Sequence, residues 1–306
     1  MKEDSVDPGT ALSIGYLAFQ AINEEKTARV IGSTSRGIFL LTPKKRVIFI
    51  SNQPFRSPLT IAFQEPLIQN NLVEPGMPVD FTQGRIEIPE AKLFLDVKNH
   101  EPWKPPIPSG LTDQSRNFRF RLQELISYLL AAREPLGFSY LLSPLLNFQS
   151  ADILTSEQSE TYSRVRHLEK TLTENDPVET MVILKSFLGL GRGLTPSGDD
   201  FIMGFLLALN RWPAVCHTPA FLPQLNQLVI QSAYLSTTAI SANLIECATL
   251  GHSDERLMTA IDGLITGTLS TQACASNLIG LGSSSGIDAL SGTLVAFDLC
   301  REKDCP

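Results

Sequence analysis

The chain has 306 residues, more than one ordinary domain holds, and a prior of about one domain per 150 residues suggests two. With 43% hydrophobic and 19% charged residues it can bury a sizeable core, which excludes a disordered chain. A net charge of −7, with no Lys/Arg block, argues against a nucleic-acid partner, whose phosphates require a concentrated basic surface.

The opening "MKEDSVDPGTALSIGYLAFQAI" is acidic where a secretory leader is basic, and apolar runs such as "FIMGFLLAL" fall short of a membrane span. No membrane contact is expected. The five cysteines (216, 247, 274, 300, 305) are odd in number and contain no CxxC pair, which fits a reducing, cytoplasmic location.

Between residues 27 and 97 the text breaks into β-rich pieces: "TARVIG", "GIFLLT", "RVIFIS", "LTIAF", "VDF", "RIEI" and "KLFLDV". "TPKK" would close one hairpin and "TQG" another. The expectation is a barrel or sandwich of about six strands, with closed edges. Residues 99 to 113, "NHEPWKPPIPSGLTD", hold four prolines and a glycine, which suit neither a long helix nor a central strand. The expected domains are therefore a β-rich unit, 1–105, and a helical unit, 106–306, in an α+β chain.

Beyond the crossing the apolar spacing becomes helical, beginning with "QSRNFRFRLQELISYLLAAREPLG", which Pro135 and Gly137 stop. Thr155 and Gln158 form a capping-box signal, and Asp176 with Pro177 a second helix start. The segments ending at Gly251, Gly267 and Gly280 each suggest a left-handed glycine cap. The four histidines (100, 167, 217, 252) are scattered and suggest no catalytic set.

Two helical segments repeat without a gap: "SGDDFIMGFLLAL" (197 to 209) and "SGIDALSGTLVAF" (285 to 297) share SGxDxxxGxLxA. Ser197 pairs with Ser285, Gly198 with Gly286, Asp200 with Asp288 and Gly204 with Gly292, and each copy follows a GLG. The plain explanation is structural: a serine three residues before an aspartate is a capping pattern, and the interior glycines permit close helix packing. The functional one is that glycine-rich loops (Gly191, Gly193, Thr195; Ser284) expose amides at helix starts, where a small anionic substrate binds. Asp200 and Asp288 would then hold Mg²⁺, if that cofactor is used, or accept hydrogen bonds from an amide or carbamoyl NH₂. Asp199 has no twin and is expected only to cap. Arg192 offers a planar guanidinium to phosphate or carboxylate, or else is a solvated loop residue. In "STTAIS" (236 to 241) the hydroxyls of Thr237, Thr238 and Ser241 would share a helix face toward the site, or simply back-bond.

Other motifs fail. "GSSSG" imitates a nucleophile elbow at Ser284, but no histidine follows it. "GLGSSSG" resembles the phosphate loop of galactokinase-type small-molecule kinases, yet few residues follow, so only a phosphate-binding use of the loop survives. No GxxxxGK[ST] loop, HExxH or Cys/His cluster is present.

"LGLGRGLTPSGDDFIMGFLLAL", "STTAISANLIECATLG" and "GLGSSSGIDALSGTLVAF" resemble, in this order, the hallmark blocks of the AllH-like family, over roughly residues 180 to 300. The resemblance implies a subunit of oxamate carbamoyltransferase, active in allantoin and purine breakdown, which moves a carbamoyl group between oxalurate and phosphate. It also implies two partners, an acyl-CoA synthetase-like subunit and a further carbamoyltransferase subunit. The expected catalytic residues are Asp200, Asp288 and Arg192; Gly191, Gly193, Thr195, Ser197, Gly198, Thr237, Thr238, Ser284, Ser285 and Gly286 are the expected binding residues. The rival readings are a non-catalytic scaffold subunit and a phosphotransferase built on the same loops.

Overall fold

The computed structural model describes residues 9–63, 73–82, 84–98, 100–108, 110–111, 117–132, 136–146, 154–216 and 218–298. Cys300, Cys305, Pro135 and His217 lie outside them. The chain divides into two compact units, Met1–Pro106 and Ile107–Pro306.

The first unit is a closed eight-stranded barrel. Its strands are β1 (Gly9–Ile14), β2 (Thr27–Thr34), β3 (Gly37–Leu41), β4 (Val47–Ser51), β5 (Thr60–Phe63), β6 (Pro78–Thr82), β7 (Arg85–Ile88) and β8 (Leu93–Asp96). They follow the order β1-β5-β4-β3-β2-β6-β7-β8 around the barrel. Both expected hairpins form: β3 pairs antiparallel with β4 and β6 with β7. Alternation along the strands turns Val30, Ile38, Leu40, Ile48, Ile50, Ile61, Val79, Ile86, Ile88 and Leu95 into one core. Helix α1 (Tyr16–Glu24) buries Ala18, Ala21 and Ile22 against that core.

Neither β1 nor α1 is among the expected elements. β1 pairs antiparallel with β5 and parallel with β8, so the strand that closes the barrel depends on partners far along the chain, which local patterning does not reveal.

The second unit is all helical among its described residues: α2 (Phe118–Ala132), α3 (Ser139–Leu145), α4 (Ser156–Thr173), α5 (Pro177–Phe187), α6 (Ser197–Arg211), α7 (Leu222–Ser236), α8 (Ala239–Thr249), α9 (Glu255–Thr266), α10 (Thr271–Ile279) and α11 (Ser285–Asp298). The α+β class holds. Thr155 and Gln158 form the expected capping box of α4, and Asp176 caps α5 by accepting from the amides of Val178 and Glu179, 3.0 Å each. Gly267 ends α9 in the left-handed conformation, whereas Gly280 stays right-handed (φ −67°) after α10, because its amide continues the helical pattern to Ser276.

Helix α6 is buried along nearly its whole length. Its far end is pinned by Arg211, whose guanidinium meets both oxygens of Asp262 on α9 at 2.8 and 2.6 Å, while the Trp212 indole donates to the same carboxylate at 2.8 Å. Cys216, Cys247 and Cys274 are buried and form no disulfide among the described residues, and burial pushes the Cys274 thiol up to about 11. Among the described residues, no helix is long and apolar enough to cross a membrane.

Candidate functional site

The two repeats fold alike down to single hydrogen bonds. At the start of α6 the amides of Asp199 and Asp200 donate to the Pro196 carbonyl at 2.9 and 3.1 Å; at the start of α11 those of Ile287 and Asp288 donate to the Ser284 carbonyl, both at 2.9 Å. The Gly198 amide donates to Leu190 (2.8 Å) and the Gly286 amide to Leu281 (3.3 Å), the middle residue of each GLG. The longer first loop is absorbed between these bonds, with Gly191 and Gly193 at φ +117° and +100°. Ser197 and Ser285 are thus the first helical residues. The capping pattern is not used on α6, where Pro196 holds the cap position and no side chain caps the helix.

The repeats then cross at their glycines. A Cβ on Gly204 would overlap the carbonyl oxygen of Ala289, and one on Gly292 that of Phe201. Phe201 and Ala289 occupy equivalent positions, so the crossing has pseudo-two-fold symmetry. It brings the two helix starts together, with the Thr195 and Ser285 hydroxyls 3.2 Å apart.

The aspartates meet beneath those hydroxyls, each facing the serine of the other repeat. Ser285 and Thr195 face Asp200; Ser197 and Ser284 face Asp288, whose Oδ1 also accepts from the Phe138 amide at 2.6 Å. Both carboxyls are buried, and among the described residues the Oδ2 of each has no partner. Burial raises Asp288 to about 6, against the pull of Phe138, Ser197 and Ser284. Burial raises Asp200 well above the carboxylate range, and the nearby Asp288 and Asp199 add to the rise.

Asp199 does not cap. Its Oδ1 accepts from the Gly189 amide at 2.8 Å and its Oδ2 from the Thr237 hydroxyl, so it ties the head of the first loop to the end of α7. Next to it, Thr238 caps α8 by accepting from the Ser241 amide (3.1 Å) and donates to the Leu194 carbonyl at 2.8 Å. The hydroxyls of "STTAIS" therefore share no helix face. Ser236 ends α7, Thr237 closes it, Thr238 opens α8, and Ser241 lies inside α8 with a buried hydroxyl lacking a partner among the described residues.

The clamped loop is exposed from Gly191 to Leu194. Among the described residues, the amides of Gly191, Arg192 and Gly193 have no acceptor and Arg192 pairs with no carboxylate. Of the expected residues, the fold gathers Asp200, Asp288, Thr195, Ser197, Ser284 and Ser285, with Gly191, Arg192 and Gly193 on the adjoining loop. Gly198 and Gly286 are buried, their amides engaged by the loops, and Thr237 and Thr238 hold the loop from its far side. Neither Phe138 nor the clamping role of Asp199 was expected. Phe138 reaches Asp288 across 150 residues of sequence, for which no local signal exists.

Among the described residues no group of three or more His, Cys, Asp or Glu is placed to hold a metal. Asp200 and Asp288 alone would offer Mg²⁺ two carboxylates, and burial raises both above their ordinary values.

Fold and site thus define an α+β protein whose helical unit carries a duplicated glycine-loop–helix element with paired buried aspartates. The sequence model of the family described as "Oxamate carbamoyltransferase subunit AllH" matches residues 187–297, from the end of α5 into α11. Over this segment the family resemblance carried by the motifs is established. No curated protein and no solved structure matches the chain.

Proposed function

We propose that this chain is a carbamoyltransferase subunit that binds small carbamoyl-bearing anions where α6 and α11 begin, and that it works with partner subunits, as the family description "subunit" suggests. The observation that carries this reading is the pair of buried Oδ2 atoms without partners, at Asp200 and Asp288, beneath a hydroxyl layer and beside an exposed loop with unengaged amides. An unsatisfied buried acceptor costs about 1–3 kcal/mol, so a ligand that donates to it is favoured. A carbamoyl or amide NH₂ is such a donor. Arg192 and the amides of Gly191 and Gly193 suit the phosphate or carboxylate of the same ligand.

In the proposed reaction a phosphate oxygen attacks the terminal carbamoyl carbon of oxalurate. The bond from that carbon to nitrogen breaks, the nitrogen leaves as oxamate with a proton, and carbamoyl phosphate forms. The helix starts and the hydroxyls of Thr195, Ser197 and Ser285 stabilise the oxyanion that develops in between. The partners would be an acyl-CoA synthetase-like subunit and a further carbamoyltransferase subunit.

The test is carbamoyl phosphate formation from oxalurate and phosphate by the chain with its co-purified partners. Asp200→Ala and Asp288→Ala are each expected to lower the rate about 100-fold or more, on the scale of losing one transition-state contact. Undiminished activity in folded variants would instead assign the chain a scaffold role.

A further inference from the structure

Gly137 and Phe138 precede α3 and lie outside the family-matched segment, yet they bear on one aspartate only. The Phe138 amide donates to Asp288, and its carbonyl accepts from Ser291 at 3.4 Å, one turn further along α11. Its ring packs edge-on against Phe201 of α6 and Phe187 of α5, with centroids 6.0 and 6.2 Å away. One residue thus grips the second repeat through its backbone and the first through its side chain. Gly137 has φ +55°, and a Cβ built on it would overlap both carboxyl oxygens of Asp288. Gly137 is itself exposed, so the layer over that carboxyl carries no side chain there.

Among the described residues Asp200 has no equivalent grip. The groups facing it are the Ser285 and Thr195 hydroxyls, which donate or accept alike, and the carboxyls of Asp288 and Asp199.

We propose that the 137–138 turn makes the two aspartates unlike, fixing Asp288 as the acceptor of a ligand's carbamoyl NH₂ and leaving Asp200 as the donor to the nitrogen or oxygen beside it. This rests on the carbamoyl-binding reading of the site. A carboxyl that accepts a backbone amide is favoured as the anion, whereas one set among hydroxyls and other carboxyls is favoured neutral. The directions agree: burial raises both carboxyls, but at Asp288 the Phe138 amide pulls against the rise, to about 6, whereas at Asp200 the nearby Asp288 and Asp199 carboxyls add to it, which favours Asp200 as the holder of the proton. Tyr140 of α3 also faces Asp288, and burial pushes its phenol upward, so it stays neutral and does not compete for that role. Asp200 then supplies the proton that the leaving oxamate nitrogen takes up.

The test compares Asn with Ala at each aspartate in the full-length chain with its co-purified partners, titrating carbamoyl phosphate, oxamate and inorganic phosphate. Asn keeps one donor and one acceptor but is no anion; at position 288 the Phe138 amide engages that acceptor and turns the NH₂ toward the ligand's own donor. At position 200, Asn is expected to bind carbamoyl phosphate about tenfold better than Ala; at position 288, Asn is expected to be no better than Ala. Gly137→Ala, which keeps both aspartates in the chain but drives a methyl against the Asp288 carboxyl, is expected to weaken carbamoyl phosphate at least about tenfold more than inorganic phosphate. The same Asn-to-Ala pattern at both positions, or a Gly137→Ala variant that weakens both ligands alike, overturns the proposal. Circular dichroism checks folding, and if a position 288 variant does not fold, the Gly137→Ala comparison decides. Wild-type protein that binds neither carbamoyl phosphate nor oxamate would sink the carbamoyl reading itself, and this proposal with it.

Discussion

Asp200 and Asp288 each occupy the first turn of a helix, where a carboxyl is ordinarily a routine complement to the helix dipole. Burial changes their character. A carboxyl whose folded value lies above its unfolded value, about 4, holds its proton more tightly in the folded chain. The stability it contributes is present below that unfolded value and is lost as pH rises through the folded value, about 6 for Asp288 and well above the ordinary carboxylate value for Asp200. Wild-type protein is therefore expected to lose thermal stability as pH rises from about 4 to about 6 through Asp288, with Asp200 adding to the loss, and Asp200→Asn to reduce it, because it removes a group that the unfolded chain ionises more readily than the folded chain. Melting curves across this range check it; parallel curves for variant and wild type would contradict it. The repeat made Asp200 and Asp288 legible in the sequence, since only they are paired. It did not reveal that Asp199, unpaired, is the clamp, because its partners Gly189 and Thr237 come from a loop and a helix end with no common pattern.

At the level of elements, two features hold the helix starts in place. The first is the glycine crossing of α6 and α11. Gly204→Ala or Gly292→Ala would drive a methyl into a backbone carbonyl that cannot move without separating the helices, and each is expected to cost about 1–3 kcal/mol or more in thermal unfolding. A neutral outcome would mean that the helices sit further apart. The second is the clamp of the first loop. Thr237→Val removes the donor to Asp199 Oδ2, with an expected loss of about 1–3 kcal/mol and faster amide hydrogen exchange in residues 189–194. Exchange in residues 280–283 should not follow, because that loop is held separately, by Arg256 donating to the Gly280 carbonyl at 2.8 Å. The glycines that permit the crossing were legible as a helix-packing signal. The break between α7 and α8 at Thr237 and Thr238 was not, since helical spacing continues on both sides of it and the Thr238 cap and the loop docking make it.

For the whole molecule, composition and spacing gave the β-then-α order, the hairpins and most helices. They missed β1, α1 and α3, which owe their conformations to distant partners: β5 and β8 for the first strand, the barrel core for α1, and Asp288 together with the Phe187 and Phe201 rings for the start of α3. The same holds for the site, whose residues along α6 and α11 were legible while its third contributor, the 137–138 turn, was not. The account stands on two repeats building one ligand site between them. Calorimetric titration of carbamoyl phosphate into the full-length chain, wild type against the Asp200→Ala/Asp288→Ala double variant, examines that claim. Saturable binding of one ligand per wild-type chain, lost in a double variant that still melts cooperatively, is the predicted result; binding that survives in the double variant would contradict it.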